Sequence, residues 1–302
     1  MNQTIIKRFM RDRIYFLLLA PALLYYILFR YVPMFGIIVS FKDYNLFKGV
    51  WASEWVGLKY YRMFLANPDA NVIIKNTVLL GIYRLLFGFP APIILAVLFN
   101  EMRFKKYKRF VQSVSYMPYF LSTVVVSSIM IMLLSPSTGW INGFIQSLGF
   151  EPINFLQKPE WFRTIYVSSD IWQSAGFGTI IYLAALASVD PHLYEAAEID
   201  GAGRWNKMVH VTLPSLVPAM VIIFILQIGS VLELAFDKAF LLGNPATFET
   251  SDIISTYVYR MGIIQGSFSY ATAIHLAMGV VAFLFVYSTN RIARRVGETS
   301  LW

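Results

Sequence analysis

Residues 188–214 read SVDPHLYEAAEIDGAGRWNKMVHVTLP and separate two long apolar segments, 165–187 and 215–236. A bilayer core of about 30 Å needs roughly 20 apolar residues per helix. Both flanking segments reach that length, so each is predicted to cross a membrane. The polar stretch between them then joins two spans on one side of the bilayer.

Within this linker the residue order predicts two short helices. Asp190 is a favourable N-cap, and Pro191 suits the first helical position. The run 195–198, EAAE, favours helix, and Gly201 then breaks it. A second short amphipathic turn over 204–211 leads back to the apolar segment. From these residues alone, an interfacial loop lying on lipid headgroups is as good an interpretation as a docking surface.

The composition of the whole chain agrees with a membrane protein. Hydrophobic residues make up 57% of the 302 residues, charged residues 14%, and the mean hydropathy is +0.59. A soluble protein carries about 25% charged residues, so a soluble globule is excluded. We predict one all-α integral membrane domain, residues 1–302, with six transmembrane helices. The predicted spans are about 14–40, 76–100, 111–134, 165–187, 215–236 and 272–290.

Lys and Arg residues are distributed unevenly between the two sets of loops. The N-terminal arm, the 101–110 connection, the 188–214 linker and the C-terminal tail together carry 14 of them, against 9 in the longer opposite loops. The positive-inside rule therefore predicts that both termini lie in the cytoplasm. Cations next to the spans indicate topology and contact with anionic lipid, and they argue against nucleic-acid binding.

The linker also carries a specific motif. Glu195-Ala196-Ala197, Gly201, and Leu213-Pro214 follow the pattern EAA-x3-G-x9-I-x-LP, with Val211 in place of Ile. This spacing resembles the EAA loop of the permease subunits of binding-protein-dependent ABC importers. The likeness extends to a segment commonly found after the first span and to fourth-span and later segments typical of carbohydrate-uptake permeases. It is greatest to the LplB-like permeases for complex oligosaccharides. The further segments are 55–58, 169–173, 182–186, 236–238, 241–245 and 256–260.

This resemblance implies a type I ABC importer permease fold in a bacterial cytoplasmic membrane. It also implies four kinds of partner: a second homologous permease, two ABC ATPase subunits, an extracellular solute-binding protein and membrane lipid. ATP and Mg²⁺ would be bound by the ATPase subunits, so the chain itself needs no cofactor. The residues that would couple the chain to the ATPases are Glu195, Ala196, Ala197, Glu198, Gly201, Leu213 and Pro214.

Polar residues inside apolar spans are costly and normally face a cavity, a partner or the bundle interior. With the predicted orientation they all lie toward the outer half of the membrane. We expect them to line an outward vestibule for sugar, although Asp170 also suits a helix cap and Arg84 suits an ion pair with Glu233 or Asp237. On the fifth span, Gln227, Glu233 and Asp237 are expected to share one face of a helix. The candidate pathway residues are Arg84, Asp170, Trp172, Gln173, Gln227, Glu233 and Asp237.

Several other functions have no support in the sequence. No G-x-x-x-x-G-K-[ST] motif occurs, so the chain lacks a P-loop of its own. With no cysteine and no metal-ligand spacing among its three histidines, we predict no metal site and no enzyme activity. An ATP-independent dimeric carrier or channel for polar solutes would explain the polar residues in the spans. It would leave the spacing of the EAA motif unexplained.

Overall fold

The computed structural model describes residues 12–232, 234 and 236–296. Two short strands, β1 (Lys42–Asp43) and β2 (Glu54–Trp55), pair antiparallel, and the remaining regular structure is helical. The α-helices in chain order are α1 (Arg13–Tyr26), α2 (Val32–Met34), α3 (Gly49–Ala52), α4 (Lys59–Leu65), α5 (Ala70–Tyr83), α6 (Pro90–Asn100), α7 (Lys105–Tyr116), α8 (Thr123–Leu134), α9 (Trp140–Ser147), α10 (Pro159–Ala187), α11 (Pro191–Ile199), α12 (Arg204–Lys207), α13 (Leu213–Gly229), α14 (Phe236–Leu242), α15 (Phe248–Ser251), α16 (Ile254–Tyr259) and α17 (Phe268–Val296).

Short turns of other helix types join some of these helices into longer segments. The π-helical turns are Ile27–Tyr31, Arg84–Gly88, Met208–Thr212 and Arg260–Ile264, and the 3₁₀ turns are Phe35–Phe41, Met117–Phe120, Phe155–Gln157 and Pro245–Thr247.

Four continuous helical segments of the described chain are long and apolar enough to cross a membrane: Arg13–Phe41, Ala70–Asn100, Arg204–Gly229 and Phe268–Ile292. Two bent pairs of helices raise the number to six if each pair is counted as one span. The all-α membrane architecture is thus confirmed. The second span begins six residues before the predicted start, at Ala70, and the fourth begins at Pro159 instead of residue 165.

The predicted span 111–134 is not one continuous helix. The segment Lys105–Phe120 and the helix α8 meet at an angle of 102°. Pro118 has no N–H to continue the helix, and the chain becomes extended at Leu121. Ser122 then starts α8 as its N-cap, its hydroxyl accepting a hydrogen bond from Val125 N–H at 3.3 Å.

The predicted fifth span, 215–236, is also interrupted. The helix α13 ends at Gly229, where the Ser230 hydroxyl donates to the Gln227 carbonyl at 3.1 Å. Glycine is a poor helix former. At position 229 it leaves room for the Val286 side chain, with which a Cβ would clash. A new helix, α14, starts at Phe236. Gln227 and Asp237 therefore do not share one helical face, and Glu233 lies outside the described residues.

The chain divides into two compact units, 1–66 with 260–277 and 67–259 with 278–302. In the described part of the first unit, the Lys42 ammonium donates to the Val50 and Trp51 carbonyls, both at 2.9 Å. Hydrogen bonds from Tyr60 and Lys59 hold the pKa of the Asp43 carboxyl below its usual range. Burial, together with the bond to Asp43, raises the pKa of Tyr60 to about 12.

The second unit is organised around α10, a helix of 29 residues. Its first half packs in an apolar cluster with Leu80, Leu234 and Ile253. Its second half contributes Tyr182 and Leu186 to another cluster, which includes Ile93, Ala96 and Leu216. One long helix therefore connects the end of the unit next to the 188–214 linker with the end remote from it.

Candidate functional site

The EAA loop, defined here as residues 188–214, folds as the sequence predicts at its first helix and its bend. The helix α11 begins after Asp190, whose carboxylate accepts a hydrogen bond from His192 N–H at 2.9 Å. Gly201 has a φ of +78°, a left-handed conformation that glycine adopts without strain. The predicted N-cap and glycine bend are confirmed.

Two contacts hold the parts of the EAA loop together across this bend. The Lys207 ammonium lies 2.9 Å from Glu198 Oε2, and the hydroxyls of Tyr194 and Thr212 are hydrogen-bonded at 3.1 Å. An exposed ion pair alone contributes little, about 0–1 kcal/mol. Together with the Thr212 contact it restricts the angle between α11 and the helical segment that follows.

A third contact connects the EAA loop with the end of α6. The Arg204 guanidinium donates to the Glu101 carbonyl at 3.2 Å, and its Nε lies 3.8 Å from the Glu101 carboxylate. Glu101 follows the last residue of α6. This contact joins the EAA loop to the end of a second candidate span.

The sequence predicts a separate short turn over 204–211, and this prediction is wrong. Helix α12, the π turn Met208–Thr212 and α13 form one helical segment, Arg204–Gly229. Pro214 lacks the N–H that an α-helix would bond to the preceding turn, and the wider π turn accommodates this loss. Leu213 is half-buried and Pro214 is exposed. The loop is thus continuous with the span that follows it.

The surface of the EAA loop combines small, acidic and apolar side chains. Glu195, Ala196 and Glu198 are exposed, and Ala197 is half-buried. Glu195 Oε2 lies 3.0 Å from His192 Nδ1, a contact that the sequence reasoning missed. Three large apolar side chains are also exposed: Leu193 (51%), Ile199 (86%) and Trp205 (72%). Exposed large apolar side chains on a polar loop are typical of a surface that contacts a partner or lipid headgroups.

A charged cluster forms in the transmembrane part of the second unit. Asp170 Oδ2 lies 3.2 Å from Arg84 Nε, and Asp170 Oδ1 lies 3.0 Å from Lys238 Nζ. Asp170 is eleven residues inside α10, so it does not cap that helix. The sequence predicts Glu233 or Asp237 as the partner of Arg84 and gives no indication of Lys238. Among the described residues the ion-pair partner of Arg84 is Asp170, while Asp237 is exposed.

The remaining candidate pathway residues do not converge on one point. The Gln173 amide donates to the Leu121 carbonyl at 3.1 Å, where it satisfies the backbone at the break between α7 and α8. Trp172, on the same helix, is 44% exposed. Gln227 is half-buried near the end of α13. The structure thus brings Arg84 and Asp170 together and gives Gln173 a structural hydrogen bond.

Comparison with known proteins gives the same family as the one that the EAA motif indicates. Residues 71–298 match the family of binding-protein-dependent transport system inner membrane components. Protein LplB of Bacillus subtilis (strain 168) is 45% identical over 292 residues, which cover 97% of this chain and 92% of LplB. The polygalacturonan/rhamnogalacturonan transport system permease protein YteP of the same organism is 43% identical, with 100% of this chain and 94% of YteP covered.

The fold is also found in solved structures. A chain of a bacterial alginate ABC transporter, in complex with a periplasmic protein that holds an alginate pentasaccharide, superposes with a TM-score of 0.91 and 39% identity. The match covers 98% of this chain and 99% of that one. A family match over most of the sequence and relatives above 40% identity leave no ambiguity: this chain belongs to the family of binding-protein-dependent transport system inner membrane components, the permease subunits of ABC importers.

Proposed function

We propose that the chain is one of two permease subunits of an ATP-driven importer that carries an oligosaccharide across the bacterial cytoplasmic membrane. An extracellular solute-binding protein delivers the sugar, and two ATPase subunits, which hold ATP and Mg²⁺, drive transport. The names of the relatives support this cargo, since YteP is a permease for polygalacturonan and rhamnogalacturonan and the structural neighbour handles alginate. The termini and the EAA loop face the cytoplasm.

The observation that carries the proposal is the geometry of the EAA loop. Its two helices meet at the Gly201 bend and expose Ile199 and Trp205 to a partner. Because Arg204–Gly229 is one helical segment, a force on the loop acts on the following span without an intervening flexible joint. The Arg204–Glu101 contact passes the same displacement to α6.

In this mechanism the permease performs no chemistry itself. Closure of the two ATPase subunits pulls the EAA loop inward and opens the pathway to the outside, where the binding protein releases its sugar. Return of the ATPases to the open state restores the inward-facing pathway. The chain contributes a rigid lever, a membrane pathway and its polar lining.

The test is reconstitution of the permease with its sister permease, its ATPases and its binding protein in proteoliposomes. We expect ATP-dependent sugar uptake, and we expect Ile199→Ser combined with Trp205→Ser to reduce ATPase association and ATP turnover at least tenfold. Phe47→Ser is the matched control, since Phe47 is 97% exposed in the segment between β1 and β2. Normal ATPase association in the double variant would contradict the docking role of the EAA loop.

A further inference from the structure

The cluster of Arg84, Asp170 and Lys238 contains two cations and one carboxylate. Its members come from three separate elements, the π turn Arg84–Gly88, α10 and α14. Each Asp170 oxygen is already engaged, Oδ2 by Arg84 at 3.2 Å and Oδ1 by Lys238 at 3.0 Å. Exposed Asp237 forms no ion pair within the described part of the chain. The described cluster therefore has a net positive charge.

The two cations differ in how much of each side chain remains accessible. The Lys238 side chain is 1% exposed and also lies 5.9 Å from the centre of the Tyr166 ring. The Arg84 side chain is 39% exposed and contacts Asp170 through Nε. Its two terminal nitrogens have no hydrogen-bond partner among the residues that the structure describes. The terminal N–H groups of the Arg84 guanidinium are therefore available to a ligand in the adjoining space.

The position of Arg84 along its span excludes a simple anchoring role. Arg84 is the fifteenth residue of the 31-residue segment Ala70–Asn100, about 21 Å from one end and about 24 Å from the other. Arg84 thus lies near the centre of this helical segment, away from the ends where interfacial anchors are found. An unbalanced charge in the middle of a span is costly and indicates a functional site.

We propose that Arg84, supported by the fixed charge of Lys238, binds a carboxylate of the passing cargo, so that the transporter selects acidic, uronate-containing oligosaccharides. A guanidinium binds a carboxylate through two parallel N–H···O bonds, a geometry that neutral sugars cannot offer. Asp170 holds Arg84 by Nε and leaves both terminal nitrogens for this contact. The inference rests on the proposed function, since it requires that oligosaccharides pass through this chain.

The test compares two probes in proteoliposomes that contain the complete transporter and its binding protein. One probe is a trigalacturonate and the other is its methyl ester, in which the carboxylates are masked. The measurement is the ratio of ATP-dependent uptake of acid to ester. We expect Arg84→Gln to lower this ratio at least tenfold and Arg84→Lys to lower it less. Arg103→Gln, which removes an exposed cation three residues beyond the end of the segment Ala70–Asn100, is the matched control and should keep the ratio.

A second variant separates ligand binding from folding. Asp170→Asn combined with Lys238→Met removes one charge of each sign and leaves the Arg84 guanidinium, so the ratio of acid to ester should fall less than in Arg84→Gln even if total uptake falls. If Arg84→Gln lowers the uptake of both probes equally, the ratio is unchanged. That result would overturn the carboxylate assignment and leave the proposed function intact. Absence of ATP-dependent uptake of both probes by the unmodified transporter would overturn this inference. The proposed function would be overturned as well only if neutral oligosaccharides were not taken up either.

Discussion

At the scale of single residues, Gly201 sets the shape of the EAA loop. Its φ of +78° lies in the left-handed region, and a Cβ added there would meet no atom within 4 Å. A substitution thus tests backbone conformation without introducing a steric clash. Gly203, two residues on, has a φ of −67° and equally open surroundings, so it provides a matched control.

We expect Gly201→Ala to cost about 1–2 kcal/mol in local conformation, because left-handed backbone is unfavourable for residues with a Cβ. The strain is released by reorienting α11 relative to α12, and sugar-stimulated ATP turnover of the assembled transporter should fall several-fold. Asn, which tolerates this region better, should retain more turnover. The prediction fails if Gly203→Ala reduces turnover as much as Gly201→Ala does.

At the scale of elements, the close approach of α7 to α10 depends on Gly176. A Cβ at this position would collide with the backbone carbonyl of Ser115, which cannot rotate away as a side chain would. Nearby, Thr179 Oγ1 donates to the Tyr116 hydroxyl at 3.3 Å, and the rings of Tyr119 and Phe177 stack at 3.9 Å. All three contacts require the helix separation that glycine permits.

We expect Gly176→Ala to destabilise the protein by about 1–3 kcal/mol, because α7 must move away from α10 to make room for the methyl group. The midpoint of thermal unfolding of the purified protein should fall by several degrees. Gly143→Ala in α9 is the control, since no atom lies within 4 Å of the added Cβ and alanine favours helix. Equal thermal stability of the two variants would contradict the proposed packing.

The elements that the sequence predicts well are those whose causes are local. Asp190 caps α11 through a bond to a residue two positions away, and Gly201 bends its own backbone. The break at Gly229 was not predicted, because apolar residues continue through it. At Leu121, Pro118 is a local signal for a break, but the contacts that hold the two helices at their angle are not local. The amide that satisfies the Leu121 carbonyl belongs to Gln173, 52 residues later.

The charged cluster was only partly predictable for the same reason. Arg84 and Asp170 stand out as charges within apolar segments, so their importance can be read from the sequence. Their pairing with each other and with Lys238 cannot, because Asp170 and Lys238 are 68 residues apart and α14 follows an unpredicted break. Side-chain partners across such distances depend on how the helices pack, which apolar periodicity does not determine.

At the scale of the whole molecule, the first span is the least buried of the four continuous candidate spans in the described chain. No residue of α1 is buried, and the most apolar window of Arg13–Phe41 is likewise 0% buried. This segment nevertheless carries Arg30, a charge that an isolated span would expose to lipid. Intramembrane charges normally face protein or a water-filled cavity. We therefore expect one face of the segment to pack against the sister permease.

Site-directed photo-crosslinking tests this packing, with benzoylphenylalanine placed at each position of 17–32 in turn. In membranes that contain both permeases, crosslinks to the sister subunit should recur every three to four positions, because one face of a helix repeats with that period. The same variants expressed without the sister permease should give no such product. If crosslinking is absent, or equally strong at all positions, the segment lies in lipid without a specific protein contact. Arg30 must then be neutralised by lipid phosphate instead of by protein.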